Sequence, residues 1–492
     1  MATPKRSLDK DLEKIVHVEA ATHEAAAGVV SHGIAVVFLG LAAILASIYA
    51  GLESGMVLAA VAAVLGGYMA LNIGANDVAN NVGPAVGSRA LTMVGALIIA
   101  AIFESAGALL AGGDVVRTIS KGIIDPSLVQ DSGTFIWAMM AALISSALWV
   151  NLATVVGAPV STTHAVVGGV LGAGVAAVGF DLVNWPTMAA IAASWVISPL
   201  MGGVIAAAFL ALIKIQVIYQ PDKIAAARRW VPFLVAMMAG AFAGYLAVKG
   251  LKKVWVPGAV TLVALSIAVF VLTWLVMRPI IRRQSEGMAN RNQSLRVLFR
   301  APLICAAALL SFAHGANDLA NAIGPLAAII HSAQAGDVVG KVTVPTWILL
   351  IGAVGISLGL FLYGPKLIKM VGSKITKMNP MRAYCVALSA AITVLIASWF
   401  GLPVSSTHIA VGAVFGVGFF REYYTKHSKR RRQMVSPRRS GEPEVRLGPE
   451  EIRHRKLVRR SHFLTIIAAW VITVPAAAGL SAAVFSILNL LR

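Results

Sequence analysis

The sequence predicts an all-α polytopic membrane protein built from two inverted repeats, each with a broken transmembrane helix and a re-entrant helical hairpin. Three observations carry this expectation. The 492 residues are 58% hydrophobic and 13% charged, and apolar runs long enough to span a bilayer recur from Ile34 to the C-terminus. Several long motifs occur twice, in the same order. The basic residues gather between the apolar runs, in places that orient the two motif sets oppositely.

Taken in order, residues 1–32 read as a polar, partly amphipathic cytoplasmic segment, and 33–54 hold an extra N-terminal span. Residues 55–217 form the first repeat. It has a span starting near Met56, another over 90–110, a polar stretch from Gly112 to Gly133, two arms at 134–156 and 160–178, and a span at 186–217. Residues 218–300 link the halves with two spans and a loop holding six arginines between Arg278 and Arg300. The second repeat begins at 301–420, with a span from Ala301, another at 346–362, and arms at 383–400 and 404–420. A basic loop, 421–461, carries 14 Lys/Arg against 5 acidic residues and reads as a solvated cytoplasmic segment. Residues 462–492 supply the last span.

Charge then sets the topology. With the N-terminus inside, the basic loops at 214–229, 278–300, 364–382 and 421–461 are inside too. Arms 383–420 therefore enter from the cytoplasm and return to it, whereas arms 134–178 enter and leave on the outside. The tips of two such hairpins meet within the membrane. Lys249, Lys252 and Lys253, in an external loop, run against the rule.

The chemistry lies in two motif pairs. GANDVANNVGP spans Gly74–Pro84 and returns as GANDLANAIGP at Gly315–Pro325. Asn76, Asp77, Asn80, Asn317, Asp318 and Asn321 thus sit within apolar runs, where one carboxylate costs roughly 2.5–3.5 kcal/mol. Asn and Asp also cap helices, but a burden carried twice points to a cation or substrate site. The second pair is Ser161-Thr162-Thr163-His164 after Pro159, and Ser405-Ser406-Thr407-His408 after Pro403. Pro followed by Ser or Thr opens a helix, leaving free amides and a positive dipole end beside the hydroxyls. Two such ends facing one another cradle a small oxyanion without Lys or Arg.

Asp77 and Asp318, near the same centre, would repel that anion unless cations neutralise them. Carboxylate, amide and backbone oxygens suit Na⁺, with Asp77 and Asp318 as its ligands, while protonation of the pair would serve H⁺. Glu104, opposite Ile356 in the second copy, is a third intramembrane carboxylate, read either as a cation-binding or proton-transfer group or as a satisfied polar contact with another helix. His164 and His408 read as residues bonded to nearby backbone rather than as ligands.

Both motif pairs closely resemble those of the inorganic phosphate transporter (PiT) family of sodium- or proton-coupled phosphate symporters. The resemblance covers roughly 55–217 and 301–490. It implies inorganic phosphate held by Ser161, Thr162, Ser405 and Ser406, with Asp77, Asn80, Asp318 and Asn321 on the cation side, and it matches Glu104 to an acidic position of the first repeat. Sodium-coupled relatives carry a Glu on the first hairpin arm where this chain has Leu143 and Ala387.

The function expected is import of inorganic phosphate by symport with Na⁺ or H⁺. Alternatives are a sulfate transporter of the same architecture and an uncoupled anion channel. No nucleophile–base set or metal-ligand spacing suggests an enzyme. The +20 net charge reads as a topology signal, so the expected partners are phosphate and the lipid bilayer rather than nucleic acid, with a homodimer left open. No cofactor beyond the coupling ion is expected. The expected address is the inner (plasma) membrane, multi-pass, with the N-terminus cytoplasmic.

Overall fold

The computed structural model describes residues 7–51, 55–125, 128–129, 131–156, 160–250, 256–335, 344–368, 378–431 and 460–491. These residues are helical nearly throughout, with one isolated β-bridge between Ile124 and Val183. The order is α1 Ser7–Tyr49, α2 Met56–Gly87, α3 Met93–Ala111, α4 Gly113–Arg117, α5 Ser132–Val156 and α6 Thr162–Val178. Then come α7 Trp185–Ile213, α8 Lys223–Tyr245, α9 Ala259–Gln284, α10 Asn292–Leu298, α11 Arg300–Ala335 and α12 Thr346–Leu362. Last are α13 Pro380–Trp399, α14 Ser406–His427 and α15 Arg460–Leu490. Ten of the described helices are long and apolar enough to cross a membrane. Bare backbone in lipid leaves every amide unpaired, which is why the chain satisfies its hydrogen bonds within helices.

Helices α5–α6 and α13–α14 form two hairpins, as the paired arms predict. The tip Gly157–Pro159 lies outside the described residues, as do Lys252, Lys253, 369–377 and most of the 421–461 loop. Central to the bundle is α11, packed against α2, α3, α5 and α13 and buried along almost its whole length.

Three expectations need correction. The Asn-Asp motifs do not break their helices: α2 and α11 run continuously through them, with Pro84 and Pro325 inside. A break in lipid would strand several backbone groups, and one proline within a helix removes only one amide donor. The stretch after Gly112 is not simply a polar loop. It continues as α4 and a π-helical turn, Thr118–Gly122, with Val115, Val116 and Ile119 buried against α11. The basic loop at 214–229 is also shorter than expected, because Asp222 caps α8 by accepting the Ile224 and Ala225 amides and starts it at Lys223.

The motif glycines serve close packing instead. A Cβ at Gly74 of α2 would overlap the Ile356 carbonyl of α12, and one at Gly359 would overlap the Leu71 carbonyl. Gly315 of α11 stands in the same relation to the Glu104 carbonyl of α3, and Gly107 to that of Phe312. A second kind of crossing repeats likewise. Gly412 and Gly416 of α14 face the Pro199 and Gly203 carbonyls of α7, while Gly168 and Gly172 of α6 face those of Val474 and Ala478 in α15. Small residues let backbones approach where lipid supplies no hydrophobic drive.

Gly315→Val should therefore destabilise the protein by at least about 1–3 kcal/mol, the usual cost of overpacking. Gly40→Val, where nothing lies within 4 Å, is the control. Melting of the two purified variants checks this, and equal midpoints would contradict the close-contact account.

Candidate functional site

Each hairpin returns through a capped helix start. The Ser161 hydroxyl accepts the His164 amide (3.1 Å), and Ser405 accepts that of His408 (3.2 Å). These caps use one orphan donor each. The other amides of the first turns of α6 and α14 have no carbonyl four residues back. At the described tip, Gly401 adopts φ +68, a left-handed turn that favours glycine, and its carbonyl accepts the Thr118 hydroxyl at 2.7 Å.

The two helix starts converge on the two aspartates. Thr162 donates to Asp77 Oδ2 at 2.9 Å and Thr407 to its Oδ1 at 3.1 Å. Ser406 donates to Asp318 Oδ2 at 2.9 Å. Both aspartates are 1% exposed. The asparagines complete the shell across the repeats. Asn80 donates to the Thr407 hydroxyl (2.8 Å), and Asn321 donates to Thr163 (3.1 Å), whose hydroxyl donates to the Val404 carbonyl. Asn76 donates to Thr154 at 2.9 Å and Asn317 to Ser398 at 3.0 Å, so each ties its helix to the nearer hairpin arm.

Asp77, Asp318, Asn80, Asn321, Thr162, Thr163, Ser406 and Thr407 are thus linked in one centre, which Glu104 joins through His314. Ser161 and Ser405 cap the helix starts, while Asn76 and Asn317 bond to the hairpin arms. One feature differs from the expected cradle: the hydroxyls of Thr162, Ser406 and Thr407 are donated to carboxylates. Leu143 and Ala387 are both fully buried in apolar surroundings.

Sequence reasoning missed two residues here. His314, fully buried, lies with Nε2 2.8 Å from Asp318 Oδ2 and 3.8 Å from Asp77 Oδ2, and with Nδ1 3.3 Å from Glu104 Oε1. Asn81 donates to that same Glu104 oxygen at 2.7 Å. A neutral imidazole donates from one nitrogen only, so the Asp318 and Glu104 contacts are both favourable when the group carries one further proton. One ligand atom from each of Asp77, His314 and Asp318 lies within 4.8 Å of the others. Around them, Oδ1 of Asn76, Asn81, Asn321 and Asp318 and Oε2 of Glu104 are buried acceptors with no donor among the described residues. Such oxygens are suited to a hard cation.

Two further contacts frame the site. The rings of His164 and His408 pack 4.4 Å apart, with Trp195 edge-on to His164, and the Trp195 indole donates to the Pro403 carbonyl. Both histidines thus join the hairpins to each other. Lys249, the exception to the charge rule, is paired with Asp114 at 2.6 Å and donates to the Trp399 carbonyl. That partner removes much of its weight as a topology signal.

The fold and this centre define a multi-pass helical membrane protein that gathers buried carboxylates, amides and hydroxyls in the middle of its bundle. Comparison with known proteins narrows the class. A sequence model described as the phosphate transporter family matches residues 73–481. A Helicobacter pylori (strain J99) protein named "Putative phosphate permease" is 53% identical over 352 residues, which are 71% of this chain and 66% of the relative. A similarly named Pyrococcus abyssi protein is 36% identical over 82% of this chain and 91% of its own length. Among solved structures, "The sodium-dependent phosphate transporter" superposes with a TM-score of 0.77 at 36% identity, covering 88% of this chain and 99% of that one. The chain belongs to the phosphate transporter family.

Removing His314 leaves three buried carboxylates without their shared partner. His314→Leu should cost about 3–5 kcal/mol, as when one member of a buried ion pair is deleted. Adding Asp318→Asn should restore much of it. Strictly additive losses in the melting of single and double mutants would mean that the two groups do not interact.

Proposed function

We propose that the chain imports inorganic phosphate across the inner membrane by symport with a cation, with the two motif sets forming inverted repeats around the shared centre. The observation that carries this reading is that both hairpin helix starts donate hydroxyls to the two aspartates. Cation binding then does two things. It neutralises carboxylates that would repel phosphate, and it competes for the oxygens that hold Thr162, Ser406 and Thr407, freeing those hydroxyls for the anion. With the first-turn amides they form a cradle of dipoles from which phosphate is readily released.

Paired contacts support the inverted arrangement. Asn76–Thr154 corresponds to Asn317–Ser398, Thr162–Asp77 to Ser406–Asp318, and Asn80–Thr407 to Asn321–Thr163. Na⁺ is favoured as driver by the donor-free acceptor oxygens and by the sodium dependence named for the solved relative. His314 and Glu104 give H⁺ an alternative route within the same site.

Transport by purified protein in liposomes, with Na⁺ and pH gradients set independently, tests the coupling. Under Na⁺ coupling, Asp77→Asn and Asp318→Asn should both lose Na⁺-stimulated phosphate binding. Under H⁺ coupling the Asn side chain imitates the protonated acid, so phosphate binds with less pH dependence while concentrative uptake fails. Wild-type accumulation by both mutants would overturn the reading. Thr162→Ala and Ser406→Ala should each weaken phosphate binding roughly 10- to 150-fold, the worth of about 1.5–3 kcal/mol for a donor to a charged group. Excess sulfate in the same assay separates the two tetrahedral anions.

Topology is checked by cysteines. One at Leu128, which is exposed, should react only from outside, and one at Lys429 only from the cytoplasm. Labelling of both from one side would contradict the inverted hairpins.

A further inference from the structure

Lys214 follows directly on α7, as the first residue of a π-helical turn, and is only 6% exposed, yet its ammonium has no carboxylate within ion-pairing distance among the described residues. Its Nζ instead lies over the rings of Tyr424 (4.4 Å to the centroid) and Phe420 (5.4 Å) of α14. Tyr219 stacks on Tyr424 at 5.6 Å, and the Arg430 guanidinium donates to the Tyr219 carbonyl. Around this aromatic floor stand more cations. Arg382, Arg421 and Arg431 are all close enough to repel Lys214, and Arg382 is repelled in turn by Arg421 and Arg296. The acid acting on the group is Glu422, on Arg421. None of these arginines forms an ion pair among the described residues.

The backbone holds this repulsive cluster together. The Arg382 amide is capped by Asn379 at the start of α13, and Gly412 and Gly416 lock α14 to α7. Arg431 is fixed through its amide to Ser428 and its guanidinium to the Thr425 carbonyl. Like charges so fixed, and partly shielded from water, gain strongly from an anion that bridges them. Guanidinium forks beside an ammonium match the oxygens of a phosphate group. Basic pockets between membrane helices hold such groups.

We infer that Lys214, Arg382, Arg421 and Arg431 form a second anion site, for a phosphate group carried either by inorganic phosphate or by an anionic lipid headgroup. It lies where the end of α7 meets both bases of the α13–α14 hairpin, remote from the aspartate centre. An anion bound there ties both ends of that hairpin to α7.

The test uses the full chain in detergent, in a Thr162→Ala/Ser406→Ala background that weakens the central site. Inorganic phosphate, dioctanoyl phosphatidic acid and zwitterionic dioctanoyl phosphatidylcholine are titrated separately while the melting midpoint is followed. Phosphate or phosphatidic acid should stabilise the protein, and phosphatidylcholine should not. Which of the two anions acts identifies the source. Lys214→Gln and Arg421→Gln should each weaken that response at least tenfold. Without ligand, both substitutions should raise the midpoint, because each relieves repulsion. Three results would overturn the proposal: no response to either anion, an equal response in both variants, or a lower ligand-free midpoint in both. It would also fall if a response appeared only after Glu442, Glu444, Glu450 and Glu451 were replaced by Gln, since the chain's own acidic segment would then be the occupant.

Discussion

Everything at the centre of this molecule answers to one constraint: two aspartates stand buried in a bundle of membrane-spanning length, with no Lys or Arg paired to them among the described residues. A paired arginine would stabilise the carboxylates but leave them indifferent to a small cation. Asp77 instead receives two hydroxyls, and Asp318 receives one hydroxyl and the His314 ring. His314 lies within α11, whereas the hydroxyl donors come from the helix starts of the two hairpins. The same donors weaken readily, since a hydroxyl can rotate toward another acceptor without backbone movement.

The glycine crossings and the polar centre divide the labour. Helices α2 with α12, and α3 with α11, touch backbone to backbone, with no side chain to slide past. The hairpin tips meet the centre through hydrogen bonds among side chains and between side chains and tip backbone, each worth little net. Stiffness thus lies in the helix pairs and adaptability at the tips.

Much of this was legible in the sequence, for physical reasons. Lipid-length apolar runs gave most helices to within a few residues, and doubled Pro-Val-Ser motifs located both hairpin returns. Gly and Pro misled in α2 and α11, because local propensity registers a break where neighbouring helices demand close approach. The helical stretch Gly113–Gly122 was hidden by short runs of mixed polarity whose burial depends on α11. His314, Asn81 and Glu104 carried a signal of another kind. Their counterparts in the other motif copy are Ile73, Ala322 and Ile356, all apolar. Only Glu104 was singled out, yet the three form one cluster. Positions where a duplicated motif departs from polar to apolar mark where the two halves have divided their tasks.

Two contacts join residues to their own counterparts: the His164–His408 ring contact described above, and one between Ser105 and Ser357, whose hydroxyls lie 2.9 Å apart. A side chain that must face a copy of itself has to be its own complement. Serine satisfies this because its hydroxyl both donates and accepts a hydrogen bond, and histidine because one flat ring packs on another, whereas a carboxylate facing its twin is simply repelled. Were the two halves separate, identical chains, these residues would sit on the dyad of a dimer, and any change there would occur on both sides at once. Fusion into one chain lifts that restriction, so that each member of such a pair is free to change while its twin stays as it was.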